Sequence, residues 1–153
     1  MFGETPKDVE GWDKIKWGMT LQEARSAYKS KAPSSGNEYW TMQWLTTIKV
    51  GDISMDANAM AKPDSDHVVR VRLELIYYLH PEGPSGPVAF DTLRTLLMQK
   101  YGTPSNDETK TKFGDPVHDV LWTFPSTSIL LELTKISVDV DYRATDKKAL
   151  DVL

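Results

Sequence analysis

From Val117 to Arg143, apolar and polar side chains alternate with strand periodicity. Val120, Trp122 and Phe124 form one apolar row, which resumes after Pro125 and Ser126 with Thr127, Ile129, Leu131 and Leu133, then Ile136, Val138, Val140 and Tyr142. Successive side chains on a strand point to opposite faces, so this stretch predicts three strands in a meander. One face is apolar. The other is largely polar and carries Thr123, Ser128, Glu132, Ser137, Asp139, Asp141 and Arg143.

The first half of the chain has the same texture. The even positions Trp40, Met42, Trp44, Thr46, Ile48 and Val50 oppose Thr41, Gln43, Thr47 and Lys49, which predicts a long strand with the even row buried. Gly51-Asp52 suits a two-residue hairpin, because glycine supplies the positive φ that a type II′ turn needs at its first central position. Ile53, Met55 and Ala57 make the return strand. Val69, Val71, Leu73, Leu75 and Tyr77 form the inward row of another, with Arg70, Arg72 and Glu74 outward.

A helix precedes each group of strands. Thr20-Leu21-Gln22-Glu23 is a capping box, followed by Leu21, Ala24, Ala27 and Tyr28 on one helical face until Pro33 to Gly36 ends the run. Val88 to Tyr101 repeats Phe90, Leu93, Leu97 and Tyr101 at helical spacing, with Gly102 placed for a C-terminal cap and Pro104 blocking extension. Lys62 to Asp66, Pro81 to Pro87 and Ser105 to Pro116 read as loops, and Ala144 to Leu153 as a short terminal helix. The expected fold is therefore α+β, an antiparallel sheet of about six strands in two αβββ halves with both helices on its apolar face. Residues 1 to 11 are expected to be a loose lead-in and 12 to 153 a single domain.

Composition narrows the function more by exclusion than by pointing. A formal charge of -4, from 18 basic and 22 acidic side chains, supplies no excess of cations for a phosphate backbone, so a nucleic acid is not the expected partner. With no cysteine there is no disulfide, thiolate metal site or cysteine nucleophile. No apolar run approaches the ~20 residues of a membrane helix. The first ten residues lack the basic and apolar regions of a signal peptide, so the chain is expected in the cytoplasm as written, or in the periplasm or envelope as a mature form.

Candidate chemistry is sparse. His67, His80 and His118 lie at three separate places without the spacing that puts two on one helical face, so no metal is expected, and no motif calls for a cofactor. Ser126, Thr127 and Ser128 fit turn chemistry beside Pro125 rather than a nucleophile elbow. Asp139 and Asp141 share a strand face, as paired carboxylates must in acid-base catalysis; the plainer explanation is a charged face with Arg70, Arg72, Lys49 or Arg143 as cross-strand partners.

The polar face also carries Leu45, Ile76, Tyr78, Leu121 and Leu130. If these meet across the sheet they form a patch for a partner or a second copy of the chain, unless a further layer covers them. With Arg70, Arg72, Glu132, Asp139 and Asp141 around it, such a patch has the apolar anchors and charged surround of a non-obligate interface. The expected function is a non-catalytic protein-binding module. The alternative is a small-ligand carrier or hydrolase-like enzyme using Asp139 and Asp141 with a histidine.

Several short segments carry a resemblance. Trp17-Gly18-Met19-Thr20 opens a helix, Lys100-Tyr101-Gly102-Thr103-Pro104 closes another, and Leu121-Trp122-Thr123-Phe124 is followed by Ser128-Ile129-Leu130-Leu131. Together, over residues 12 to 143, they resemble small bacterial envelope proteins and lipoproteins, whose helix-plus-meander build is similar to that of outer-membrane assembly lipoproteins and beta-lactamase inhibitor protein. The chain has no lipobox cysteine. The resemblance implies a secreted or periplasmic, non-enzymatic, protein-binding module, for instance an inhibitor, an immunity protein or an envelope assembly factor.

Overall fold

The apolar rows of both halves lie on one continuous sheet. The structure, a computed structural model, describes residues 8 to 145. Its elements in order are β1 (Gly11–Trp12), β2 (Ile15–Lys16), α1 (Leu21–Ala27), β3 (Ser35–Gly36), β4 (Thr41–Val50), β5 (Ile53–Ala61), β6 (Arg70–Leu75), α2 (Gly86–Tyr101), β7 (Asn106–Lys112), β8 (Asp115–Thr123), β9 (Thr127–Leu133) and β10 (Val138–Ala144). β1 and β2 pair with each other. The rest form an eight-stranded sheet in the order β3-β4-β5-β6-β10-β9-β8-β7, antiparallel at every junction. The two halves join where β6 meets β10, with Leu73 opposite Val140.

Local chemistry explains the helices. Thr20 accepts from the Glu23 amide at 3.1 Å while the Glu23 carboxylate accepts from the Thr20 amide at 3.2 Å, so the capping box is complete. Ser85 caps α2, which starts two residues earlier than its apolar repeat suggests. Its Gly86 lies against the Tyr77 ring, where a Cβ would fall 2.4 Å from the ring. Leu21 and Ala24 of α1 and Ala89, Phe90, Leu93 and Leu97 of α2 are buried in one core with Val71, Leu73, Val120, Trp122, Ile129, Leu131, Val138 and Val140. Ile15 and Trp17 join that side, with the Trp17 indole donating to Thr127 Oγ1 at 2.8 Å. At the β4–β5 hairpin, Gly51 has φ of 59° and its neighbour Asp52 has no positive φ, as a type II′ turn requires.

The sheet has eight strands rather than about six, because Asn106 to Lys112 is a strand and not part of a loop. Every residue of β7 is exposed and none is apolar, so hydrophobic alternation carries no signal there. Its pairing with β8 comes from backbone hydrogen bonds and from Asp107, which receives Arg94 of α2 and lies 2.6 Å from the His118 ring. A polar, lysine-bearing edge strand also protects the sheet from pairing with other chains. The short β3 is the other addition, on the opposite edge.

Three further expectations are corrected. The third strand ends at Leu75, so Ile76 leaves the ladder and Tyr78 sits in a single 3-10 turn, Tyr77–Leu79. Ala144 closes β10 instead of opening a helix, and the remainder of that segment lies outside the described residues. Asp8 and Val9, within the stretch expected to be loose, are fastened to the sheet: Asp8 accepts from the Ser126 amide at 2.8 Å, and Val9 accepts from the Thr127 hydroxyl.

Candidate functional site

A bulge in β4 decides what the open face presents. Pairing with β5 shifts between Trp44 and Thr46, so Leu45 is the extra residue and the alternation changes phase there. Before the bulge, Gln43 and Leu45 are the inward residues, each 1% exposed, while Met42 and Trp44 face outward; after it the even row turns inward again with Ile48 and Val50. Leu45 therefore belongs to the core and not to the outer patch. The Trp44 carbonyl loosened by the bulge is taken up by the Ser30 hydroxyl and the Gln43 amide, both at 2.8 Å, and Gln43 also reaches the Ala32 carbonyl at 3.0 Å.

Register lays the outer face out in three rows. The first crosses six strands as Asp56, Glu74, Asp139, Glu132, Asp119 and Glu108, each the direct cross-strand neighbour of the next. The second is Trp44, Asn58, Arg72, Asp141, Leu130, Leu121 and Asn106. Met42, Met60, Arg70, Arg143, Ser128 and Thr123 make the third. Like charges directly opposite one another destabilise a sheet, so the carboxylate row needs countercharges. Arg72 lies 2.9 Å from both Asp139 and Glu74, Lys110 2.8 Å from Asp119, and Lys112 3.3 Å from Glu132. Trp44 Nε1 and the Thr47 hydroxyl both donate to Asp56 at 3.1 Å.

Protons complete the balance. Burial, and then the hydrogen bond with Asp119, raise the Glu132 pKa above the usual carboxylate range. Burial works against the Asp119 carboxylate too, but the hydrogen bond from Glu132 and the Lys110 ammonium outweigh it and hold Asp119 low. Asp119 Oδ1 and Asp139 Oδ1 are both buried without a donor. Burial pushes Asp139 up despite Arg72.

Of the residues expected to form the binding surface, the sheet brings together Arg70, Arg72, Leu121, Leu130, Glu132, Asp139 and Asp141. Leu121 and Leu130 are directly paired and half-buried, the one apolar contact of the expected patch that forms. Ile76 and Tyr78 lie past the end of β6, where Tyr78, 72% exposed, donates its amide to the Ile136 carbonyl and stands with exposed Leu79 and Ile136. Arg70, Arg72 and Arg143 are the cations that meet the two aspartates; Lys49 is exposed on β4 and forms no ion pair with them. Trp40, which alongside Tyr78 and Trp12 was open to a surface-anchor role, lies on this face, and Met42 and Trp44 beside it were missed. Their signal was the adjacent pair Trp44-Leu45, two large apolar residues in succession where a strict alternation allows one.

No histidine reaches the aspartate row. His118 shares the inward face with Val120 and packs its ring, tilted, against Phe90 with centroids 4.6 Å apart, while His67 and His80 pair with Asp66 and Glu82 on loops. Among the described residues no three His, Asp or Glu side chains are grouped to hold a metal ion. Comparison with protein-family models, curated proteins and solved structures finds no match for this chain.

Proposed function

We propose that the protein is a non-catalytic binding module, of the inhibitor, immunity or envelope assembly kind, that docks a protein partner on the open face of its sheet. The observation that carries this reading is the Leu121–Leu130 pair, half-exposed on a face whose surrounding charges are already ion-paired. Both helices and the core lie on the other side, and no described element covers this one. Charges fixed in pairs before binding lose less freedom on docking, and an apolar centre with such a rim is how non-obligate interfaces are built. The motif resemblance to small envelope proteins points the same way.

The test is affinity capture from the native cell envelope and cytosol with the parent chain and Leu130→Asp in parallel. A partner retained by the parent and lost by a folded Leu130→Asp supports the reading. Equal retention by both would place the binding surface elsewhere.

A further inference from the structure

At the end of the sheet where β10 stops, a cleft of about 710 Å³ is lined by Trp17 and Trp40, together with Val69, Ala144 and Thr145. We propose that this cleft is a binding site for a small organic anion with a flat apolar body, an aromatic carboxylate being the simplest case. The cleft borders the protein-binding face and shares Trp40 and Arg143 with it, but the proposal does not rest on that reading. Its volume falls within the ~300–1,000 Å³ of small-molecule sites.

Both aromatic walls are held in place before any ligand arrives. Trp17 is tied through its indole N–H to Thr127 Oγ1 at 2.8 Å. Trp40 lies over the Arg70 guanidinium at 5.0 Å, and its amide donates to Asn37 Oδ1 at 2.9 Å. Arg70 is in turn locked by two hydrogen bonds to Asp141. Rings fixed in this way lose little freedom on stacking against a planar ligand.

The charge of the lining selects the ligand's sign. Lys16, Lys62 and Arg143 line the cleft with one carboxylate, Glu10. Among the described residues neither lysine has an acidic partner within ion-pair distance, and Arg143 shares the Asp141 carboxylate with Arg70, so two guanidinium charges face one acid there. In a chain whose overall charge is -4, this corner is locally positive. A neutral aromatic would leave those cations unanswered, and a cationic one would be repelled.

The experiment titrates the full chain with naphthaleneacetate and, as a charge-reversed match, naphthylmethylamine. Heat of binding gives the affinity, and the indole N–H resonances of Trp17 and Trp40 report the place. Naphthaleneacetate is expected to bind and shift both indoles, with naphthylmethylamine at least about tenfold weaker. The exposed pair Lys16→Gln with Lys62→Gln should cost the anion about tenfold, the effect of removing two modest ion pairs, with an unchanged melting curve. Equal affinity for the two probes, an unchanged affinity in the double variant, or no indole shift at millimolar probe would overturn the proposal. So would binding seen only when the chain is ended at Thr145, since the cleft would then be taken by the residues that follow.

Discussion

Arg70 and Asp141, 71 residues apart in the chain, are joined by two parallel hydrogen bonds of 2.7 and 2.6 Å across the junction of the two halves of the sheet. Their side chains are 10% and 7% exposed, so the pair is desolvated on a face that is otherwise half wet. Paired forks of this geometry are strong and directional. A buried pair nevertheless stabilises little relative to apolar residues of the same size, and breaking it from one side is what costs.

That asymmetry sets the first prediction. Asp141→Ala strands Arg70 and should lower unfolding free energy by about 3 kcal/mol, whereas Arg70→Met combined with Asp141→Leu should recover most of the loss. Urea denaturation of the parent, both single variants and the double variant measures the coupling. Additive losses would show that the pair does not act as a unit.

The bulge gives the second. Leu45→Ala removes a side chain that is 1% exposed in the core and should cost about 2–4 kcal/mol. Leu130→Ala, on the half-buried outer face, should cost less than about 1 kcal/mol. Thermal melts of the two variants suffice, and a reversed order would return Leu45 to the outer face.

The third concerns Glu132. Its folded pKa is raised above the reference value of 4.5, so the folded state holds a proton that the unfolded chain gives up. The associated stability is fully present below about pH 4.5 and is lost as pH rises through the raised value. Glu132→Gln keeps a donor for Asp119 without the charge. It should therefore stabilise the protein at pH 7, less the loss of a weak surface pair with Lys112, and the gain should vanish near pH 4. Melting temperature against pH for the two proteins tests this; a gain independent of pH would contradict the shared proton.

The fourth separates the two apolar sites outside the core. Leu130→Asp should weaken partner association by about 2 kcal/mol, since Leu130 lies at the centre of the open face beside Leu121. Tyr78→Ala, in the turn beyond β6, should change association less and leave the fold intact, because its side chain is 72% exposed. Titration calorimetry with the captured partner ranks them. A larger effect at Tyr78 would move the interface to the Tyr78, Leu79 and Ile136 end.

The capping box at Thr20, the apolar stripe of α2, the β4–β5 turn at Gly51 and the alternation of β8 to β10 were legible in the sequence by itself. Each depends on residues a few positions apart, and side-chain periodicity or a local hydrogen bond carries the information. Tertiary structure decided the rest. β7 has no apolar residue to betray it and exists as a strand through its partners on β8 and α2. The phase of β4 changed because one extra residue was absorbed at Leu45, which moved Met42 and Trp44 to the outside and Leu45 to the core. Above all, the carboxylate row and the Arg70–Asp141 pair are products of register between strands distant in the chain. A shift of one residue would turn either strand's side chains to the other face, and the composition of a strand does not specify that alignment.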